Sequence, residues 1–416
     1  MRTEPSVPGG PMSTPESTYS LLVRNASLGW LASAFVARLP YSMLTLTLVL
    51  FGQELTGSFA FAGLLVAAFS LGGALGAPVV GLLADRFGRR RALLAMTAAA
   101  AVSIATLASL AWVAVPVFVQ AVVSGLVGAT NGQVGAMARA GWSAAFAGEP
   151  DGRRKIEVAM SYETVADEVS FVAGPILGAT LAAAVSPVFA VGVAWVLLVV
   201  AQTFFAFRLP AVRTLAGGIT RGRVPARMVA WLVLSSVVGA VFGTTQTGIA
   251  ALFQDTPDEV WTGLVYGAMG VGSAVSGLFA HRLLRRWSLP VRVMGAGALM
   301  VVFGLGLAAT GVPLLLAVAC FSLGLCVAPL LIAASTGTER LADPGNTLVL
   351  TLLSTAVMVG VGSGASAAGW VIEAWGAQAA LAMPAVLGVA AALTGVLASA
   401  SRADAHGVRP TLTTAA

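Results

Sequence analysis

Gly81-Leu82-Leu83-Ala84-Asp85-Arg86-Phe87-Gly88-Arg89-Arg90-Arg91 is a short charged island in a hydrophobic sequence. Residues 59–83 before it and 92–138 after it carry no charge. A second island repeats it at Gly277-Leu278-Phe279-Ala280-His281-Arg282-Leu283-Leu284-Arg285-Arg286. The glycines, the first leucines, the alanines, Arg86 with Arg282, and the paired arginines all fall in register. The offset from Gly81 to Gly277 is 196 residues, close to half of the 416-residue chain. Two copies of a charged hinge between apolar runs point to a duplicated bundle of membrane helices.

Composition supports that reading. The chain is 58% hydrophobic and 10% charged, against about 25% charged in soluble domains. Mean hydropathy is +0.91. Folded soluble surfaces cannot hide so much apolar area. About 20 apolar residues cross the hydrocarbon core as a helix. Twelve such runs are expected, at 28–50, 59–83, 92–111, 114–137, 160–184, 188–207, 228–250, 260–280, 291–309, 312–334, 347–370 and 376–399. They are apolar on both parities, unlike barrel strands.

The loops orient the chain. If the N-terminus is inside, 22 of the 23 basic residues lie on the inner side, and the remaining one, Arg38, lies within a span. The other side carries Glu54, Asp255, Asp258, Glu259 and Glu373. By the positive-inside rule both termini are expected in the cytoplasm. The expected organisation is a disordered N-tail at 1–25, a six-helix bundle at 26–207, a basic linker at 208–227, a second bundle at 228–400 and a C-tail at 401–416. The net charge of +6 serves orientation and does not indicate nucleic-acid binding. Cys320 and Cys326 share one span. Six residues of helix separate them by about 9 Å, too far for a bridge.

Arg38 is the leading single candidate for function. It stands well inside the first span, followed by Pro40. A charge there needs a partner or a wet cavity. It either serves coupling or pins the fold through an ion pair. Asp167 and Glu168 in the fifth span are candidate counter-ions or proton carriers. Glu163 shares a helical face with Asp167, whereas Glu168 points about 100° away. Glu163 is expected near the headgroups. Asn131, Gln133 and Gln246 are candidate polar groups lining a cavity. Gly174-Pro175-Ile176-Leu177-Gly178 is expected to break the fifth helix locally, because proline lacks the amide hydrogen. No phosphate-binding loop, metal cluster or hydrolytic triad is present in the sequence.

Gly81, Asp85, Arg86, Gly88, Arg89 and Arg90 resemble the signature loop between helices 2 and 3 of the major facilitator superfamily of secondary transporters. The resemblance covers roughly residues 26–400. Gly277, Arg282, Arg285 and Arg286 are similar to its degenerate copy between helices 8 and 9, with His281 in place of the aspartate and Leu284 in place of the second glycine. The resemblance implies an all-α membrane protein of twelve helices in two pseudo-symmetric six-helix bundles, working by alternating access. It implies that Asp85 and the arginines of both loops latch the cytoplasmic side. Gly174-Pro175-x-x-Gly178 resembles an element of drug and metabolite antiporters. The family's frequent arginine early in helix 4 is absent, since residues 115–132 hold no base, so coupling schemes built on it do not carry over.

The expected function is secondary transport of a small molecule, as proton-coupled efflux, and not enzymatic. Proton-coupled uptake is the alternative, and a non-transporting receptor or scaffold is the alternative of another class. The expected partners are the substrate, protons and the lipid bilayer, with no nucleic acid, cofactor or metal. The expected state is a monomer in a bacterial inner membrane.

Overall fold

The computed structural model describes residues 28–113, 115–146, 151–209, 228–283, 287–339, 341 and 347–407. Among these, twelve helices are long and apolar enough to span a membrane: α1 (Gly29–Thr56), α2 (Phe59–Phe87), α3 (Arg89–Trp112), α4 (Val117–Ala145), α5 (Lys155–Ala184), α6 (Pro187–Arg208), α7 (Met228–Phe253), α8 (Glu259–Phe279), α9 (Leu289–Ala308), α10 (Pro313–Thr338), α11 (Leu352–Trp375) and α12 (Ala377–Leu397). The described residues contain no strand. The N-tail and nearly all of the linker expected at 208–227 lie outside the described residues.

Local chemistry sets the helix ends. Ser58 caps α2 by accepting a hydrogen bond from the Phe61 amide at 3.1 Å. Ser186 does the same for α6 from the Phe189 amide at 3.1 Å, with Pro187 opening the helix. Oxygen side chains at this position satisfy amides that have no helical acceptor. The turn from α2 to α3 is made by one residue, Gly88, at φ +87°. Only glycine adopts that backbone without strain.

Several spans run further than hydropathy alone implies. The loop expected at 138–159 is short, because α4 continues to Ala145 and the helix carrying α5 begins at Gly152. Arg139 therefore belongs to a span and not to a loop. Likewise Glu54 and Glu373, expected in loops, end α1 and α11. The helix of α12 continues to Gly407, into the segment expected as the C-tail. Hydropathy measures the apolar length needed to cross, about 30 Å. Backbone hydrogen bonds then carry the helix through the polar layer until a cap or breaker stops it.

Small residues set the helix spacing, and they repeat with the duplication. A methyl placed on Gly128 of α4 would overlap the Phe69 carbonyl of α2, and one on Gly76 would overlap the Ala129 carbonyl. In the second half, Gly324 of α10 meets the Met269 carbonyl of α8 and Gly272 meets the Phe321 carbonyl. Gly324 and Gly272 stand 196 residues after Gly128 and Gly76. A second seam follows the same rule. Gly174 and Gly178 of α5 lie against Met43 and Thr47 of α1, while Gly239 and Gly243 of α7, again 196 residues on from Met43 and Thr47, lie against Val357 and Val361 of α11. Close approach through small residues supplies the dispersion contacts that hold helices together in lipid, where hydrophobic exclusion is absent.

The two bundles meet through α2 with α11 and α5 with α8. Gly63 packs on Ala365, Gly362 on Ala67 and Gly369 on Phe59; Gly263 and Gly267 pack on Ile176 and Gly270 on Val172. All these contacts lie in the half of the molecule remote from the termini. Toward the other end, no described residue outside the helix's own backbone lies within 4 Å of the place a Cβ would take on Gly81, and Gly277 meets, among the described residues, Ala328 of its own bundle. The contacts between the bundles described here thus close the remote end.

Gly128→Ala and Gly324→Ala are expected to destabilise the protein by about 1–3 kcal/mol each through overpacking. Gly192→Ala, with nothing within 4 Å, is the control and leaves the melting temperature of detergent-purified protein in place.

Candidate functional site

Three spans lose regular helix near the same place. In α1 the helix Leu28–Val36 stops, Ala37 and Arg38 form a turn, and helix resumes at Leu39. Pro40 is the cause, because it cannot donate to the Val36 carbonyl and its ring crowds that turn. In α4 the helix Val117–Ala129 gives way to an irregular stretch and restarts at Val134, with Gln133 at φ 49°. In α6 the residues Leu198–Gln202 form a π-helical turn. The fully buried Gln202 ties these points together. Its amide nitrogen donates to the Ala37 carbonyl at 3.4 Å, its oxygen accepts from the Thr97 hydroxyl at 3.1 Å, and it lies over Gly132.

Arg38 uses the freedom of its turn to make three contacts. Nη1 donates to the Ala34 carbonyl at 2.7 Å, closing the interrupted helix. Nε donates to Asp167 Oδ1 at 2.7 Å, and Nη2 donates to Glu163 Oε2. The other oxygen of Glu163 accepts the Trp142 indole N–H at 2.7 Å, and the other oxygen of Asp167 accepts Arg139 Nη2 at 2.5 Å. Two guanidinium and two carboxylate groups balance locally. Charge-assisted hydrogen bonds of this kind are what permit buried ions.

The cluster has a sealed half and an open half. Glu163 is 0% exposed and the Arg38 side chain 6%, whereas Asp167 is 27% and Arg139 36% exposed. An aromatic wall seals the inner pair. Trp142 meets Trp30 edge-on at 4.4 Å between centroids and stacks on Phe146 at 5.6 Å. Asp167 is thus partly exposed and Glu163 enclosed.

The candidates from sequence are thus placed as follows. Arg38 and Asp167 come together. Glu168 follows Asp167 on α5, half-buried, with no hydrogen bond or ion pair to any described residue. Glu163, expected near the headgroups, is the most enclosed acid of the group. Hydropathy counted it as a span end, while helical periodicity had already put it on the Asp167 face. Asn131 lies near the Tyr41 hydroxyl. Gln133 carries a buried amide nitrogen without a protein partner. Gln246 lies apart from the cluster, on α7, fully buried with neither amide atom paired to a described residue. Arg139 and Trp142 were not among the candidates. Their signal was an apolar run that continues past Arg139 through Gly141 and Ala145, one helical turn separating the arginine from the tryptophan.

Gly174-Pro175-x-x-Gly178 does not interrupt α5, whose helix is continuous over Gly152–Ala184. The two glycines serve the seam with Ser42, Met43 and Thr47, and close packing holds the turn despite the proline. In the charged loop, Arg89 is buried and donates to the Ala140 carbonyl of α4 at 2.8 Å. Arg90 lies over the Phe207 ring at 4.2 Å and Arg86 over Phe87 at 5.4 Å. Asp85 is exposed. These contacts stay within the first bundle. Arg285, Arg286 and the side chain of Arg282 lie outside the described residues.

The family model described as Major Facilitator Superfamily matches residues 30–288. The chain belongs to the Major Facilitator Superfamily. Solved structures agree on the fold of this superfamily member. The nucleoside transporter NupG is similar with a TM-score of 0.69 at 14% identity, over 89% of this chain and 98% of that one. An auto-inhibited POT family peptide transporter gives 0.66 at 13% identity, over 93% and 98%. The human organic anion transporter MFSD10 gives 0.59 at 19% identity, over 89% and 99%. No curated protein sequence matches significantly. The family points to a secondary transporter and not to an enzyme.

Removing one partner of a buried ion pair strands the other. Arg38→Met is therefore expected to lower stability by about 3–5 kcal/mol, and the double variant Arg38→Met/Glu163→Met to recover most of it. Thermal unfolding in detergent measures both.

Proposed function

We propose that this transporter exports a small molecule across a bacterial inner membrane in exchange for protons. The observation that carries the reading is the half-exposed Asp167, held between Arg38 and Arg139, with the unpaired Glu168 beside it. With the cluster neutral, Glu168 is an excess negative charge beside it on α5. A proton or a cationic group of the substrate neutralises it. Protonating Asp167 would loosen the link between α1, α4 and α5 at the place where α1 and α4 are already interrupted. Such a link makes proton occupancy a determinant of bundle geometry. Each charge moved through 100 mV supplies about 2.3 kcal/mol.

The distribution of basic residues supports placing both termini in the cytoplasm. The closed end then faces away from the cytoplasm, and an exported compound is loaded from the opposite end. The unpaired amides of Gln133 and Gln246 fit a substrate with hydrogen-bonding groups, either neutral or singly charged. The resemblance of the Gly174–Gly178 element to antiporters favours export over uptake. Asp85 and the arginines around it act in this scheme as the cytoplasmic latch, engaged when that end closes.

Transport by protein reconstituted in liposomes, screened over candidate compounds with and without an imposed pH gradient, tests the proposal. Asp167→Asn or Glu168→Gln is expected to abolish gradient-driven flux while leaving folded protein in the membrane. Full coupling in both variants would overturn it, and accumulation in the direction of the proton flow would establish uptake instead. Asp85→Asn is expected to change turnover far more than the range of compounds carried, as measured in the same assay.

A further inference from the structure

The closed end of the molecule has its own polar fastening. Glu373 lies in the last turn of α11, in the second bundle, and it is exposed. Its Oε1 accepts a hydrogen bond from the Ala60 amide at 3.1 Å and another from the Ser58 hydroxyl. Ser58 and Ala60 open α2, in the first bundle. Ser58 Oγ at the same time accepts the Phe61 amide at 3.1 Å. A carboxylate from one bundle thus completes the N-terminal cap of a helix in the other.

Three physical features make this contact more than an ordinary surface hydrogen bond. The Ala60 amide is one of the first amides of a helix, which have no acceptor within it. The N-terminus of a long helix carries partial positive charge, so a carboxylate is favoured there. The remote end also has no competing cation, since Glu54, Asp255, Asp258 and Glu259 are the other charged groups at that end. Glu373 therefore has the end of α2 as its electrostatic partner. The glycine contacts Gly369–Phe59 and Gly63–Ala365 bring the two backbones close enough for the carboxylate to reach.

We propose that Glu373 is the latch of the end remote from the termini, holding the bundles together through the N-terminal cap of α2. The bundles must part at this end once in every transport cycle. Both hydrogen bonds join residues that then separate, and Ser58 and the Ala60 amide turn to water. The latch sets how the transporter divides its time between its two open forms. It acts whether or not transport is coupled to protons.

Distance measurement by pulsed electron paramagnetic resonance in lipid nanodiscs tests the latch. Spin labels at Val185 and Val260, exposed residues flanking the α5–α8 half of the same closed end, report its opening without touching Glu373. The buried Cys320 and Cys326 are replaced by alanine in the parent. Glu373→Ala is expected to shift the ratio of closed to open populations about tenfold toward the longer distance, since two charge-assisted hydrogen bonds in partial contact with water are lost. Ser58→Ala is expected to shift it in the same direction by less, and to add little in the Glu373→Ala background. Glu373→Gln, which keeps an acceptor but not the charge, is expected to fall between parent and Glu373→Ala. Distance distributions that superimpose on the parent for both Glu373→Gln and Ser58→Ala would overturn the proposal, even if Glu373→Ala failed to fold.

Discussion

A guanidinium in the membrane-spanning part of a protein must be matched charge for charge. Arg38 sets this constraint for the first bundle. It needs carboxylates from another helix, and Glu163 and Asp167 supply them from one face of α5. It also needs a backbone carbonyl, and the turn at Ala37 lets it take that of Ala34. The indole of Trp142 and the guanidinium of Arg139 complete the acids from α4. Four groups from α4 and α5 thus depend on one side chain of α1. Because a buried charge without its partner is costly, these helices are tied to a common geometry at that depth.

The same place is where regular helix fails. The turn in α1, the irregular stretch in α4 and the π-helical turn in α6 lie around Gln202. Irregular backbone inside a membrane protein persists only where other polar groups satisfy it. Here side-chain amides and hydroxyls do so. A strong electrostatic tie beside a weakened backbone is an arrangement in which a change of charge can become a change of shape. The glycine seams provide the opposite quality. They repeat at the duplication interval in both halves, and they pack α2 closely on α4 and α8 closely on α10.

The fold was legible in the sequence to an unusual degree. The echo of Gly81–Arg90 at Gly277–Arg286 announced a duplication, and the superfamily match and solved relatives carry the twelve-helix fold. Arg38 and Asp167 were legible because a charge in an apolar run has few explanations. The enclosure of Glu163 was not foreseen, and Arg139 and Trp142 were overlooked, for one reason. Hydropathy assigns depth by average composition, whereas α4 and α5 extend beyond the apolar core and bring interfacial charges into mutual contact. The proline element of α5 was expected to break the helix and instead lies in a packed seam. Proline removes a hydrogen bond, but whether the helix yields depends on what presses against it.

The sequence by itself determined that this chain is a duplicated bundle of membrane helices, because hydrophobic run length and glycine register are properties readable along one dimension. Tertiary structure alone decided which charges meet, which end is closed, and that the charged loop of residues 81–91 rests on its own bundle in this form. Those outcomes depend on helix rotation and on distances of a few ångströms between residues more than a hundred positions apart, such as Arg38 and Glu163. Local sequence sets neither.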